Sequence, residues 1–359
     1  MSSETRSFPG MVAWQTQTER IPLPVRRVLA FVVAFALAVI LFSIVLLLLG
    51  KDPIAAWQQI YQGSLSDDYG RSEVVVKMIP FILCALAVAI PAQVGLINVG
   101  GEGQIVMGAI FTTLVALPLG AVLPTPILLP LLIIAGMVGG GLWAAIVGIL
   151  RAAIGLNETI CSLLLSYIAN LILEFSIHGP LKDPHGANWA QSALFSESAT
   201  LPTWGDTRIT AGIIFALVAV AIYWWVLNRT RWGYKMRVIG GNAEAARRSG
   251  IRINRYIIMT MVIGGAMAGL CGMIEVTAIQ GRLRGGITNG YGYIGFLVAW
   301  IALQKPFGIV IVAALLGVIA VGGDMLQIGV NLPSSTVNIL MALILFFILR
   351  NQGAQKQAA

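Results

Sequence analysis

Polar and charged residues interrupt an apolar stretch between Gly95 and Ala109, which reads GLINVGGEGQIVMGA. Asn98, Glu102 and Gln104 place two amides and a carboxyl group there, and these groups could bind a polar solute or an ion. Irregular, charged backbone between apolar flanks is tolerated only where it is buried in protein or lines a cavity. Pro91 cannot continue a helix, and the run from Glu102 can start a new one. The pattern predicts a broken helix whose break carries the function.

A second set of polar residues recurs every four positions within the apolar run 154–177. Its members are Glu158, Ser162, Ser166, Asn170 and Glu174. This spacing forms one slowly winding stripe on a helix. Carboxyl groups facing lipid are costly, so the stripe must face other helices or water. Two interpretations stay open: hydrogen bonds between helices, or the lining of a substrate pathway, with Asn157 and Glu158 as the better candidates.

Glycine breaks recur before a short apolar run in the second half of the chain. Residues 285–295 hold Asn289, Tyr291 and Tyr293 among five glycines, and Trp300 follows. The aromatic rings could stack on a base or sugar face, or they could anchor the chain at the membrane interface. An internal repeat would make this cluster the counterpart of residues 95–109.

Residues suited to covalent or metal chemistry are scarce. The two histidines, His178 and His185, both lie in the segment 178–208, and the three cysteines sit singly in apolar segments. No G-x-x-x-x-G-K-[ST] phosphate loop is present in the sequence. We therefore expect no enzymatic activity, no metal site and no bound cofactor in this chain.

The elements that must position these residues are membrane-spanning helices. The sequence is 58% hydrophobic and only 11% charged, against about 25% charged in soluble domains. The predicted class is an all-α polytopic integral membrane protein of about ten spans, with broken half-helices and an internal pseudo-repeat. The predicted spans are 28–49, 74–90, 102–118, 127–149, 154–177, 209–228, 256–277, 291–303, 309–323 and 336–349.

The distribution of basic residues predicts the orientation of these spans. With an inner N-terminus, the inner segments hold 16 of the 23 Lys and Arg residues, as the positive-inside tendency requires. This predicts a cytoplasmic arm at 1–27, a transmembrane domain at 28–349 and a cytoplasmic tail at 350–359. The segment 178–208 becomes an outer loop, and Glu275 and Asp324 are expected to be solvated or paired near outer helix ends. The basic residues of the inner segments then account for the net charge of +8, which indicates no nucleic-acid partner.

The longest inner segment, 229–255, contains the pattern of a short capped helix. Gly240 and Gly241 are expected to break the chain, Asn242 to cap a helix over Ala243–Ser249, and Gly250 to end it. Glu244 and Arg248 form an i,i+4 pair on that helix. Such a helix suits docking into a cleft of another protein, while an ordinary basic loop that meets anionic lipid is the alternative.

Three motifs resemble those of a known family. RVIGGNAEAARRSGI is similar to the coupling-helix loop of ABC-importer permeases in the ribose, nucleoside and branched-chain amino-acid group. NVGGEGQ at 98–104 and LNETICSLLLSYIAN at 156–170 resemble signatures of the nucleoside and simple-sugar branch. Two positions depart from the pattern: Gly101 stands where alanine is more usual, and Arg248 where an aromatic residue is expected.

The resemblance implies a permease subunit in the bacterial plasma (inner) membrane that imports a nucleoside or related polar solute by alternating access. The expected partners are a second, different permease, an extracytoplasmic substrate-binding protein, and a cytoplasmic ATPase that binds the ATP. The expected substrate-pathway residues are Asn98, Glu102, Gln104, Asn157, Glu158, Asn170, Asn289, Tyr291 and Trp300. The expected coupling residues are Gly241, Asn242, Ala243, Glu244, Ala245, Ala246, Arg247, Arg248, Ser249 and Gly250.

Three alternatives remain at the level of sequence. The same architecture could import a simple sugar or an amino acid, although an amino acid would require a cation or helix N-terminus for its carboxylate. An ion-coupled secondary transporter could use Glu102, Glu158 and Glu174 and would need no ATPase. A membrane scaffold without transport would leave the polar stripe and the glycine breaks unexplained. For Glu102 itself, a role as a gate and a role as a structural brace are equally open.

Overall fold

The computed structural model describes residues 23–186, 189–205, 207–330, 332 and 335–357. In these residues the chain forms thirteen α-helices and no β-sheet. The first seven helices are α1 Leu23–Leu48, α2 Pro53–Tyr61, α3 Asp68–Ala92, α4 Gly101–Leu119, α5 Thr125–Ile154, α6 Glu158–His178 and α7 Gly212–Arg229. The remaining six are α8 Arg231–Gly241, α9 Ala243–Arg248, α10 Ile253–Ile274, α11 Tyr291–Ile301, α12 Pro306–Val330 and α13 Ser335–Gln357. Short π-helical segments follow α2 and α10, at Gln62–Ser66 and Glu275–Gln280.

Seven helices of the described residues are long and apolar enough to cross a membrane, and three apolar helices are shorter. This confirms the predicted all-α polytopic class. The predicted half-helix near residue 291 is also found, because α11 has only 11 residues. At 1.5 Å per residue it is about 16 Å long, roughly half of the hydrocarbon thickness. Residues 1–22 of the predicted arm at 1–27 lie outside the described residues.

The helix of the second predicted span, 74–90, begins earlier than expected, and a helix cap explains the difference. The third helix begins at Asp68 and not near residue 74. The Asp67 carboxylate accepts a hydrogen bond from the amide of Gly70 at 2.9 Å and so caps the helix amino end. The cap allows a polar turn, which hydropathy assigns to a loop, to continue the apolar helix outward.

The chain divides into two compact units, and the first comprises residues 1–58 and 326–359. Its described part buries every fourth residue of one face of α1, at Ala34, Ala38, Phe42 and Leu46. The Trp57 indole packs edge-on against Phe42 and donates a hydrogen bond to Ser43 at 3.1 Å. Apolar residues of α13 pack against α1 in the same unit.

The second unit, residues 59–325, is built around α3. Every residue of α3 from Ile79 to Pro91 is buried. Beside it, α10 packs against α5 through glycines: a Cβ built on Gly269 would lie 2.1 Å from the carbonyl oxygen of Gly136. Small residues allow this backbone approach, as is common between membrane helices. The tight packing holds α4 and α10 close to the break that follows α3.

Candidate functional site

The predicted break is present between α3 and α4, and residues 93–100 form it. Gly95 has a φ of +82°, a conformation that favours glycine. The chain turns there and leaves backbone amides without helical partners. Three of those amides find acceptors on α6: the amide of Ile97 donates to Glu158, that of Val99 to Ser162, and that of Gly103 to Ser166, at 3.2–3.3 Å.

The stripe on α6 is therefore a set of partners for the broken segment along its first half. Glu158, Ser162 and Ser166 are buried, and Glu158 also forms an ion pair with Arg151 at 3.3 Å. The second half of the stripe turns away from the break. Asn170 is half-buried, and Glu174 is exposed beside His178. Hydrogen bonding between elements thus accounts for the first half, and the contact of Asn170 with a substrate stays a prediction.

Asn98 and Gln104 bind each other inside the break. Two hydrogen bonds of 3.1 Å join their side-chain amides, in opposite directions. The Asn98 amide also donates to the carbonyl of Ala87 at 3.0 Å and accepts from the amide of Gly100 at 3.1 Å. Asn98 is completely buried and its donors and acceptors are satisfied. In this conformation the pair fastens the break to α3, and contact with a substrate stays a prediction for both residues.

Glu102 joins the amino ends of two helices. It is the second residue of α4, and its Oε1 accepts a hydrogen bond from the amide of Gly292, the second residue of α11, at 3.1 Å. A Cβ on Gly292 would lie 2.3 Å from the Glu102 amide nitrogen, so the two turns touch. A carboxylate at helix amino ends is stabilised by their free amides and dipoles. The contact brings the two predicted glycine clusters together.

The other oxygen of Glu102 makes no hydrogen bond of normal geometry within the described chain, although the Thr288 side chain and the Tyr293 amide lie near the carboxylate. Glu102 is only 3% exposed, and its Oε2 has no hydrogen-bond partner among the described residues. Buried polar atoms without a partner are rare, so each one calls for an explanation. A carboxylate oxygen here could accept a hydroxyl or N–H group of a solute that enters between the two helix ends.

The aromatic residues of α11 and the turn before it take different positions. Tyr291 is buried, with Phe81 edge-on at 5.9 Å and the Lys77 ammonium 5.7 Å from its ring centroid. Tyr293 is 42% exposed, and Asn289 is exposed with a φ of +45°. Trp300 is half-buried beside Phe296, and its indole nitrogen has no acceptor within the described part of the chain. Tyr293 and Trp300 therefore offer more accessible ring surface than Tyr291.

Asn157 caps α6 at its amino end. Its side-chain oxygen accepts hydrogen bonds from the amides of Thr159 and Ile160, at 2.9 and 3.2 Å, and the residue is exposed. Its contact with a substrate stays a prediction. Asp324 pairs with Lys77 at 3.5 Å, as expected. The expectation for Glu275 is wrong: this residue is 3% exposed, and its Oε2 has no hydrogen-bond partner among the described residues.

The short capped helix of the segment 229–255 is found as predicted. It is α9, and the Asn242 side chain accepts from the amide of Ala245 at 3.0 Å. Gly250 follows it with a φ of +77°, and Glu244 pairs with Arg248 at 3.3 Å. The predicted break falls directly after the two glycines: α8 includes Gly240 and Gly241 and ends there, and Asn242 is extended.

Gly240 lies where α8 meets the break after α3. A Cβ on Gly240 would lie 2.4 Å from the carbonyl oxygen of Gln93. The Gln93 side chain donates to the Tyr223 hydroxyl at 3.0 Å, and that hydroxyl donates to the carbonyl of Gln304 at 3.0 Å. Among the residues of this junction, only Gln93 could have been singled out from the sequence, as a polar residue between Pro91 and Gly95. This junction physically connects the segment that holds α9 with the broken segment.

The segment 178–208 packs on the end of α10 and its continuation. The amides of Ser192 and Phe195 donate to the carbonyls of Leu283 and Gly281. Nearby, Arg208 pairs with Glu73 at 2.7 Å. Its hydrogen bond to the Tyr69 hydroxyl, together with Glu73, raises the pKa of Arg208 above its ordinary value. No cluster of three or more metal-ligating side chains occurs in the parts of the chain that the structure covers.

Comparison with known proteins places most of the chain in one family. Residues 70–349 match the family model described as "Branched-chain amino acid transport system / permease component". Three relatives each match most of the chain. The glucose ABC transporter permease protein TsgB13 of Haloferax volcanii is 33% identical, over 97% of this chain and 90% of its own length. The guanosine ABC transporter permease protein NupP of Bacillus subtilis is 31% identical, over 88% and 91%. The nucleoside ABC transporter permease protein NupB of Lactococcus lactis is 31% identical, over 90% and 91%.

Proposed function

The chain belongs to the family of permease components of branched-chain amino acid transport systems, and from that premise we propose that it carries a nucleoside across the membrane. It is an ABC-importer permease of the ribose and nucleoside group and a multi-pass protein of the plasma membrane. ATP hydrolysis lies in a separate subunit, so the chain is not itself an enzyme. The family implies a cytoplasmic ATPase and a substrate-binding protein as partners.

The contact between Glu102 and Gly292 is the observation that carries the proposed substrate class. The negative charge of one carboxylate faces the partial positive charge at the amino ends of two helices, so these charges already balance each other. A neutral solute with hydroxyl and N–H groups suits such a site better than an ion does. Tyr293 and Trp300 add ring surface on the same short helix, and a nucleobase stacks on such surfaces.

A sugar is the second candidate substrate, and one relative favours it. The Haloferax protein, named for glucose, is slightly more similar to this chain than the two named for nucleosides. A sugar would use the same hydroxyl partners and less of the aromatic surface. The two candidates therefore differ in the importance of ring stacking.

The proposed mechanism is alternating access driven by the ATPase. The ATPase docks on residues 241–250, where α9 projects its exposed Glu244 and Arg248. Movement of α8 reaches the broken segment through the close contact of Gly240 with Gln93. The break then shifts against α11 and opens the site beside Glu102 to one side of the membrane at a time.

The complete assembly in this proposal contains a second, different permease chain, and the substrate is delivered by the binding protein to the outer loops. Both termini lie in the cytoplasm of a bacterium, with the arm at 1–27, the permease domain at 28–349 and the tail at 350–359. The permease itself holds no cofactor, because the ATP is bound by the partner subunit.

Uptake in cells that express the transporter with its partners tests this function. Labelled guanosine and labelled glucose are supplied in parallel, with and without the ATPase subunit. The proposal expects guanosine uptake that requires the ATPase and that excess unlabelled glucose does not reduce. Glucose uptake without guanosine uptake would establish the sugar instead. Undiminished uptake without any ATPase would overturn the importer mechanism in favour of an ion-coupled transporter.

A further inference from the structure

A cavity of about 440 Å³ lies between α8 and the start of α10, apart from the substrate site. Two residues of α8, Trp232 and Lys235, form one wall. The rest of the lining comes from the turn at residues 249–251 and from Arg252, Arg255, Tyr256 and Met259 at the amino end of α10. Pockets of a few hundred Å³ are large enough for a small ligand or a lipid headgroup.

The spacing of these residues explains why they converge. Trp232 and Lys235 are three residues apart and so share one face of α8, and positions 252, 255, 256 and 259 share one face of α10. The rings of Trp232 and Tyr256 stack with centroids 6.1 Å apart and planes 22° apart. This stack joins the two helices beside the cavity.

The cavity is positively charged, and its charges are not neutralised. Lys235, Arg252 and Arg255 line it, and no acidic residue does. Within the described chain none of these three cations forms an ion pair, whereas Arg247 and Arg248 next to them both pair with Glu244. Arg252 occupies the N-cap position of α10, and its side chain accepts no hydrogen bond from the first turn. The free amides of that turn therefore add to the positive potential. Lys235, Arg252 and Arg255 are exposed, and together these features favour the binding of an anion.

The position of the cavity at the start of a membrane helix indicates the kind of anion. The helix that begins with α10 is long and apolar enough to cross a membrane, and Tyr256 and Met259 lie in its first two turns. The cavity therefore sits at a membrane surface, with Trp232 and Tyr256 at the level where such rings meet lipid headgroups. Basic pockets beside membrane helices bind phosphate-bearing headgroups. We propose that the cavity formed by α8 and α10 binds the headgroup phosphate of an anionic phospholipid.

The cavity shares Ser249 and Gly250 with the segment 241–250 assigned to the ATPase, and the rest of its lining lies outside that segment. The charged residues of the proposed ATPase contact, Glu244 and Arg248, lie on α9, while the three cations of the cavity lie on α8 and at the start of α10. The inference does not depend on the transported solute or on which side of the membrane the loop faces. A failure of the nucleoside proposal would therefore leave it unaffected.

Native mass spectrometry of the full-length permease in its complex tests the proposal, with phosphatidylglycerol titrated against phosphatidylcholine. The variant Arg252→Gln/Arg255→Gln removes two cations from the cavity. The matched control Arg229→Gln/Arg231→Gln removes two exposed cations from the same loop that do not line it. We expect the cavity variant to retain phosphatidylglycerol about tenfold less tightly or worse, and the control to match the unmodified chain. Phosphatidylcholine retention should be the same in all three proteins.

Three results would overturn the proposal. Equal loss of phosphatidylglycerol in the cavity variant and the control would show general surface attraction. Displacement of phosphatidylglycerol by millimolar inorganic phosphate would show a site for free phosphate. Unchanged lipid retention with loss of the ATPase subunit from the cavity variant would show a protein interface.

Discussion

The carboxylate of Glu102 accepts a hydrogen bond from the backbone amide of Gly292, at 3.1 Å and across 190 residues of sequence. Each residue is the second of its helix, so the contact joins the amino ends of α4 and α11. The two glycine clusters of the sequence thus form one site. Within it, one oxygen of the carboxylate serves as a brace and the other has no hydrogen-bond partner among the described residues.

Replacement of Glu102 separates these two functions. Glu102→Ala leaves the buried Gly292 amide without an acceptor, which costs about 1–3 kcal/mol, so we expect a lower thermal unfolding midpoint and little uptake. Glu102→Gln keeps an acceptor of the same size, and we expect it to restore most of the stability. Thermal unfolding followed by size-exclusion chromatography measures the first quantity, and labelled-solute uptake the second.

The uptake of Glu102→Gln then distinguishes a brace from a gate. Near-normal uptake with normal stability supports a brace. Normal stability with abolished uptake would contradict that role, because only the charge would have been lost.

Replacement of Asn98 tests whether the residue holds the break or holds the substrate. Asn98 is completely buried, and Asn98→Ala removes hydrogen-bond partners from Ala87, Gly100 and Gln104. We expect a loss of at least about 2 kcal/mol of stability, with an unchanged KM in whatever transport remains. Asn157→Ala is the control, since an exposed helix cap costs only about 1 kcal/mol. A raised KM at normal stability would instead make Asn98 a substrate ligand.

The two tyrosines of α11 are expected to respond differently to substitution. Tyr293 is partly exposed, so Tyr293→Ala should raise the KM for guanosine about tenfold. This is the effect expected from the loss of one stacking contact, worth about 1 kcal/mol, together with the loss of the apolar area that the contact buries. Tyr291 is buried against Phe81 and Lys77, so Tyr291→Ala should lower the unfolding midpoint. Transport kinetics and thermal unfolding of both variants provide the comparison. An unchanged KM for Tyr293→Ala would remove this ring from the substrate site.

A charge exchange on α9 tests the ATPase contact. Glu244→Lys/Arg248→Glu keeps an i,i+4 ion pair on an exposed helix, so the fold and membrane insertion should be unchanged. The partner would meet the opposite charge pattern, and we expect weaker co-purification of the ATPase and reduced uptake. Membrane abundance of the permease is the control measurement. Full ATPase binding by this variant would place the docking surface elsewhere.

The local features of the site were predictable because nearby residues determine them. Pro91 and the glycines between 95 and 103 limit helix continuation, and Asn242 and Gly250 have the residue types that cap a helix. The four-residue spacing on α6 identified polar side chains that need partners, and Glu158, Ser162 and Ser166 of that stripe are buried. Each of these signals depends on positions within one or two helical turns.

The contacts between distant segments were not predictable in the same way. Neither Glu102 nor Gly292 carries a local sign of the other. The burial of Glu275 and the continuation of α8 through Gly240 also depend on neighbouring helices, because packing overrides the low helix propensity of glycine. The sequence therefore indicated that polar groups at the break must be satisfied, while only the fold identified the partners.

Gly240 and Gly241 provide a matched pair for the coupling step. Both lie in α8, and Ala should raise helix propensity by about 1 kcal/mol at Gly240 and by less at Gly241, the last residue of the helix. At Gly240 the added methyl would lie 2.4 Å from the Gln93 carbonyl, whereas at Gly241 it meets nothing within 4 Å. We expect Gly240→Ala to push α8 away from the break. ATP hydrolysis should then continue while uptake falls at least about fivefold, which corresponds to a loss of about 1 kcal/mol of coupling free energy. Gly241→Ala, which lies in the proposed docking segment 241–250, should keep the ratio of the two rates. The ratio of solute transported to ATP hydrolysed in proteoliposomes measures this difference, and an equal ratio in the two variants would exclude the Gly240 contact from energy coupling.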